Sequence, residues 1–134
     1  MNRSSYYKNM FLIGAIWNLG AAIPAWLGII FLPNIVVSMF GLALPAVLFP
    51  YHAMFWFIVA FGVGYFIVSR DITKNHGIVI VGIVAKTVFF IDTLVTFATG
   101  QAGVLLLLCG ITDMIFVGLF VEFLLYAKKG SLNA

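Results

Sequence analysis

Charged residues are scarce in this chain. Its 134 residues include 7 Lys and Arg and 4 Asp and Glu, so that 8% are charged and 64% are hydrophobic. Soluble domains carry about 25% charged residues, and a water-soluble fold of this length has too little interior to hide so much apolar surface. The basic residues form no run or face that suits a nucleic acid. The composition therefore excludes an ordinary soluble domain and nucleic-acid binding, and it predicts one membrane domain over residues 1–134.

Residues that carry metal or redox chemistry are equally few. Cys109 is the single cysteine, so the chain cannot form an internal disulfide. The two histidines, His52 and His76, are predicted near opposite faces of the membrane. No cluster of His, Cys and carboxylate residues has the spacing of metal ligands, and no catalytic set can be placed at one depth. The sequence therefore predicts no metal site and no catalytic residue, it leaves any cofactor unknown, and it favours a protein that is not an enzyme.

Long apolar runs make up most of the sequence. A spanning helix needs about 20 apolar residues, and such runs occur at residues 10–32, 51–69, 77–98 and 103–127. The segment 34–50 is apolar too, but Gly41, Pro45 and Pro50 interrupt it. We therefore expect an all-α integral membrane fold, a four-transmembrane-helix bundle, with a short interfacial or re-entrant segment between helices 1 and 2.

The basic residues predict the orientation of these spans. Cytoplasmic loops collect Lys and Arg, and all the basic residues except Lys86 flank the spans on one predicted side. They are Arg3 and Lys8 before the first span, Arg70 and Lys74 between the second and third, and Lys128 and Lys129 after the fourth. Segments 34–50 and 99–102 hold no Lys or Arg. Four spans with both termini in the cytoplasm satisfy every flank.

Lys86 and Asp113 lie inside the third and fourth apolar runs. An ionisable side chain at that depth costs roughly 2.5–3.5 kcal/mol and usually faces a partner or a wet cavity. Lys86 is 14 residues before Gly100 and Asp113 is 13 residues after it, so both lie ~20 Å below that turn. The same counting places Asn18 and Gly62 in this layer. The predicted polar centre is either a ligand or ion site or a structural contact between helices.

Two more acidic residues are secondary candidates. Asp92 is expected near the lipid headgroups, or in an outward-facing polar pocket with Thr93, Thr96 and Gln101. Glu122 is expected to meet Lys74 or His76 at the cytoplasmic edge, in a pair that contributes little to stability. His52 and His76 complete the secondary set.

Four short stretches of the sequence carry a resemblance to a class of known proteins. They are WNLGAA at 17–22, FGVGYFIVSRD at 61–71, GIVAK at 82–86 and GITDMIFVGLF at 110–120. With its four spans, the chain resembles small uncharacterised four-span bacterial membrane proteins. The resemblance implies a multi-pass protein of the bacterial cytoplasmic (inner) membrane, and it carries no residue role.

Three functions fit these expectations. The first is a non-enzymatic accessory or assembly subunit of a larger membrane complex, or a small homo-oligomer, whose core holds the Lys86–Asp113 contact. The second is a proton or small-solute transporter or channel through the polar centre. The third is a binder of a lipophilic ligand or cofactor beneath segment 34–50. The expected partners are the lipid bilayer and other membrane protein chains, or further copies of this chain.

Overall fold

A computed structural model describes residues 2–130, and all the regular secondary structure in that range is helical. The helices are α1 (Arg3–Phe31), α2 (Pro33–Met39), α3 (Phe49–Arg70), α4 (His76–Ala98) and α5 (Val104–Lys128). Within that range, all except α2 are long and apolar enough to cross a membrane. The predicted fold class, a four-helix membrane bundle with a short extra segment after the first span, is confirmed.

The helix bounds follow the apolar runs closely, with one exception. Helices α3, α4 and α5 begin and end within two residues of the predicted spans. Helix α1 begins at Arg3, seven residues earlier than the predicted span. The reason is a local cap, because the Asn2 side chain accepts a hydrogen bond of 3.2 Å from the Ser4 N–H. The polar residues before Met10 therefore continue the helix beyond the hydrocarbon.

The segment between α1 and α3 does not form a further span. Helix α2 has Pro33 at its first position and covers 7 residues, or roughly 10 Å. Gly41 follows it with a φ of 66°, a conformation that glycine adopts without strain. Val37 of α2 packs in one apolar cluster with Ile29 of α1 and Phe55 of α3. The segment thus lies against the ends of α1 and α3.

The four long helices pack as two pairs, α1 with α3 and α4 with α5. Glycines allow the close approach within each pair. A Cβ added to Gly62 of α3 would lie 2.8 Å from Leu19 Cγ of α1, and one added to Gly110 of α5 would collide with the Thr93 hydroxyl of α4. The loop after α2 also contacts the α4–α5 turn, where Gly103 N–H donates a 2.6 Å hydrogen bond to the Phe40 carbonyl.

Aromatic side chains fill the space between the two pairs at one end of the bundle. Helices α1 and α4 begin at this end, and α3 and α5 end there. We call it the basic end, because Arg3, Arg70 and Lys128 lie at these helix ends. Phe11 stacks on Phe120 at 5.1 Å and meets Phe123 edge-on at 4.8 Å, and Tyr65 meets Phe120 edge-on at 4.9 Å. All four rings are fully buried. They form an aromatic layer between the basic end and the polar side chains above it.

Candidate functional site

A polar centre joins three helices in the middle of the bundle. Lys86 Nζ of α4 forms a salt bridge with Asp113 Oδ1 of α5 and donates a hydrogen bond of 3.4 Å to Asn18 Oδ1 of α1. The side chains of Lys86 and Asp113 are only 6% and 15% exposed. The cation and the anion therefore neutralise each other across the α4–α5 pair, and Asn18 connects them to the other pair.

The fourth helix contributes backbone to the same centre. Asn18 Nδ2 donates a hydrogen bond of 3.4 Å to the Ile58 carbonyl of α3. A helical carbonyl oxygen has a second lone pair for such a bond. Gly62 lies one turn further along α3, where a Cβ would be 3.3 Å from Asn18 Cβ. The absence of a side chain at Gly62 therefore lets α1 approach this carbonyl, and the amide of Asn18 is satisfied at both ends.

The depth of the centre agrees with the helix geometry. Helix α4 runs from His76 to Ala98, so Lys86 lies ~15 Å from its first residue and ~18 Å from its last. The structure thus brings Asn18, Gly62, Lys86 and Asp113 into one layer near the middle of the spans.

Two aromatic rings line the ammonium group of Lys86. Its Nζ lies 5.4 Å from the ring centroid of Phe116 and 5.8 Å from that of Tyr65. Within about 6 Å, the negative face of such a ring attracts a cation. Glycines make room for both rings, because a Cβ on Gly82 would collide with the Tyr65 hydroxyl and one on Gly14 would lie 3.4 Å from Phe116 Cε1. The ammonium is held by one carboxylate, one amide and two rings.

Tyr65 has a further property that its sequence position does not reveal. It is 0% exposed, and its hydroxyl is one of two buried side-chain polar atoms without a hydrogen-bond partner between residues 2 and 130. The other atom is Trp26 Nε1. A buried polar group without a partner costs about 1–3 kcal/mol. The Tyr65 hydroxyl is thus a spare donor and acceptor one turn of α4 away from Lys86.

Glu122 does not take the partner that was expected. It accepts a hydrogen bond of 3.0 Å from the Tyr7 hydroxyl, while Lys74 pairs with Asp71 at 3.1 Å. The His76 ring donates a hydrogen bond of 2.8 Å from Nε2 to the Ile72 carbonyl. The prediction is wrong because the second turn of α1 packs against the last turns of α5, so that Tyr7 lies where the α3–α4 loop was expected.

Asp92 is exposed on the surface of α4, and the three side chains expected around it lie elsewhere or bond to other groups. Thr93 is buried toward α5, Thr96 bonds back to the Asp92 carbonyl at 2.6 Å, and Gln101 bonds to Thr99 at 3.1 Å. The predicted outward-facing polar pocket is therefore wrong, because Thr93 points into the α4–α5 contact and not outward.

The two histidines lie at opposite ends of the bundle. His52 is in the first turn of α3 and His76 begins α4, so they belong to different environments. His76 packs edge-on against Phe123 at 5.3 Å. Cys109 is half-buried and free. Between residues 2 and 130, no group of three His, Cys, Asp or Glu side chains could hold a metal ion.

The loop between α3 and α4 is organised by Asp71. Its carboxylate accepts a hydrogen bond of 2.6 Å from the Thr73 hydroxyl and one of 3.0 Å from the Thr73 N–H. With Lys74, these bonds lower the pKa of Asp71 to about 2, the Thr73 hydroxyl being the largest cause. Because the folded-state pKa is lowered, this contribution to stability is present above the ordinary aspartate pKa and is lost as the pH falls toward 2.

Two open depressions lie outside the polar centre. One of about 460 Å³ is lined by Asn34, Ile35, Val37, Ser38, Leu42 and Leu44, beside α2. The other, of about 310 Å³, lies on the outer face of α1 and is lined by Ile13, Ile16, Trp17, Gly20 and Ala21. We call the second one the α1 groove.

Sequence reasoning missed Tyr65, Phe116 and Tyr7. A faint signal existed for Tyr65, because Gly82 lies one turn before Lys86 on the same face of α4 and leaves room for a large side chain from another helix. No signal existed for Tyr7, whose partner Glu122 lies 115 residues away in the chain.

Comparisons with protein families, with curated proteins and with solved structures find no match to this chain. The resemblance to small four-span bacterial proteins stays a prediction.

Proposed function

We propose that this protein is a non-enzymatic component of a membrane assembly, either an accessory or assembly subunit of a larger complex or a small homo-oligomer. The observation that carries the proposal is the closed state of the polar centre. Lys86, Asp113 and Asn18 satisfy one another, and the aromatic layer separates them from the basic end. Such a centre locks the two helix pairs together and leaves the outer helix faces as the working surfaces.

The α1 groove is the face that best fits another membrane helix. Gly20 is one of its lining residues, and a Cβ there would meet nothing within 4 Å. Trp17 is 43% exposed at its rim and lies next to Asn18, near the middle of the span. Tryptophan prefers the membrane–water interface, so a lipid-facing tryptophan at this depth is better placed against protein. Small residues at such a surface allow a second helix to approach closely.

A matched pair of variants tests this proposal. Gly20→Leu fills the α1 groove, while Gly118→Leu places the same side chain on α5, where a Cβ also meets nothing within 4 Å. Native mass spectrometry of gently solubilised membranes should show the wild-type chain and Gly118→Leu in complexes, with another chain or with further copies. Gly20→Leu should release the free monomer. A wild-type chain that is monomeric while other membrane complexes survive would refute the proposal, and so would complexes that withstand Gly20→Leu.

Proton or small-solute transport is a second proposal, which the unpartnered Tyr65 hydroxyl favours. A spare hydroxyl beside a buried salt bridge offers an alternative partner for a moving proton or solute. In liposomes, transport requires that the wild-type protein support flux and that Lys86→Met/Asp113→Leu, which removes both charges together, abolish it without unfolding the chain. Equal flux in both proteins, or none in the wild type, would refute it. A lipophilic ligand in the depression beside α2 would be found as added mass in the same native spectra.

The orientation is part of the proposal. We infer a multi-pass protein of the bacterial inner membrane with the basic end in the cytoplasm, because Lys and Arg accumulate on cytoplasmic flanks. A C-terminal fusion to green fluorescent protein should be fluorescent, and a fusion to alkaline phosphatase at the same place should be inactive. The reverse result would invert the topology.

A further inference from the structure

The basic end presents cations that have no acidic partner in the described part of the chain. Its two carboxylates are engaged, Asp71 by Thr73 and Lys74 and Glu122 by the Tyr7 hydroxyl. The remaining cations form no salt bridge with a described carboxylate; they are Arg3, Lys8, Arg70, Lys128 and Lys129. The surplus positive charge at this end therefore faces outward.

Three of these cations lie where the first turn of α1 contacts the last turn of α5. The guanidinium of Arg3 lies 5.3 Å from the centroid of the Tyr126 ring. Lys129 follows Tyr126 by one turn, and its N–H donates a 3.2 Å hydrogen bond to the Tyr126 carbonyl. Lys128 is adjacent and exposed. The first turn of α1 and the last turn of α5 thus form a cationic corner, which consists of Arg3, Lys128 and Lys129.

We propose that the basic end binds anionic phospholipid headgroups, with the cationic corner as its principal site. Phosphate oxygens accept hydrogen bonds from guanidinium and ammonium groups, and clusters of Lys and Arg next to a membrane-spanning helix attract anionic lipid. Arg70 and Lys8 extend the charge to other parts of the end.

The position of the corner favours lipid over an acidic protein. Its cations lie at the ends of spanning helices, where the headgroups begin. Lys8 lies one to two turns inside α1, from where a lysine can extend its ammonium group toward the headgroups. The α3–α4 connection covers only residues 71–75, so no protruding domain among the described residues keeps lipid away from this end.

Lipid retention on the full chain tests the proposal. The protein in mixed micelles is offered equal amounts of phosphatidylglycerol and phosphatidylcholine, and native mass spectrometry counts the molecules of each that are retained. Wild type should prefer phosphatidylglycerol. The variant Arg3→Gln/Lys128→Gln/Lys129→Gln should lose most of that preference, at about fivefold per cation removed at low salt, and raised salt should weaken wild-type binding.

Lys74→Gln is the matched control, because Lys74 is 74% exposed but already paired with Asp71. It should retain the wild-type preference. Equal far-UV circular dichroism in phosphatidylcholine alone verifies that each variant is folded. The proposal is overturned if wild type shows no preference, if the triple variant keeps it, or if Lys74→Gln loses as much. Binding of an acidic peptide without any preference for phosphatidylglycerol would assign the corner to a protein partner instead.

Discussion

Replacing Lys86 by methionine should destabilise the protein strongly, although methionine is apolar and similar in length. The side chain of Asp113 is 15% exposed and its salt-bridge partner is Lys86. Removal of one partner from a buried pair costs about 3–5 kcal/mol, because the other charge is left uncompensated. We therefore expect a loss of about 3–5 kcal/mol.

The same reasoning predicts how the loss depends on a second substitution. In Lys86→Met/Asp113→Leu neither charge remains, and polar contacts in membranes average only about 0.6 kcal/mol. The double variant should therefore unfold within about 1 kcal/mol of wild type.

These free energies of unfolding can be measured by titrating sodium dodecyl sulfate into dodecylmaltoside micelles. Circular dichroism and tryptophan fluorescence follow the unfolding. Lys74→Met is the matched control, because its pair with Asp71 is exposed and should contribute less than about 1 kcal/mol. The reasoning is refuted if Lys86→Met costs under about 1 kcal/mol at pH 7, or if the double variant is no more stable than Lys86→Met. Either result would mean that the two groups are not mutually compensating in the folded bundle.

Three further substitutions probe the packing of the helices, and the same unfolding measurement checks each. Tyr7→Phe keeps the ring but removes the hydroxyl bond to Glu122, and it should cost about 1 kcal/mol; no change would show that this contact does not join α1 to α5. Gly82→Ala should cost about 1–3 kcal/mol by overpacking against Tyr65, and adding Tyr65→Phe should restore part of it, because the hydroxyl is the colliding atom. Gly41→Ala places a side chain at a φ of 66°, which costs about 1–2 kcal/mol, and it also collides with the α4–α5 turn; wild-type stability would contradict that contact.

The level of each polar residue along its helix axis could be predicted from the sequence. The neighbouring helix that its side chain faces could be predicted only in part. The rise of an α-helix is fixed, so counting residues from Gly100 placed Lys86 and Asp113 at one level. Counting from the other span ends placed Asn18 and Gly62 there as well. The apolar runs bounded the helices because the hydrocarbon thickness sets their length. The early start of α1 escaped this rule because a local cap at Asn2 determines it.

Contacts between helices that are distant in sequence could not be predicted in the same way. The expectation for Glu122 assumed that its nearest cation would be in the α3–α4 loop, but the packing of α1 against α5 places Tyr7 there. Rotation of one helix by a single residue, about 100°, changes which side chain meets a neighbour. The long apolar helices carry little polar patterning to determine that rotation, so Tyr65 and Phe116 were found only from coordinates.

The aromatic layer has different consequences for the two proposals, transport through the polar centre and assembly with other chains. Phe11, Phe120 and Phe123 are fully buried below the centre, and a solute that travels between the basic end and Lys86 has to displace them or separate the two helix pairs. An assembly role requires no such motion, because the centre then acts only by holding the pairs together. Transport therefore predicts that flux in Lys86→Met/Asp113→Leu stays absent although its stability is restored. Assembly predicts that this same variant regains its partners together with its stability, since the α1 groove is unchanged. Flux in the wild type that this variant loses would support transport, whereas partners regained by this variant, with no flux in either protein, would support assembly.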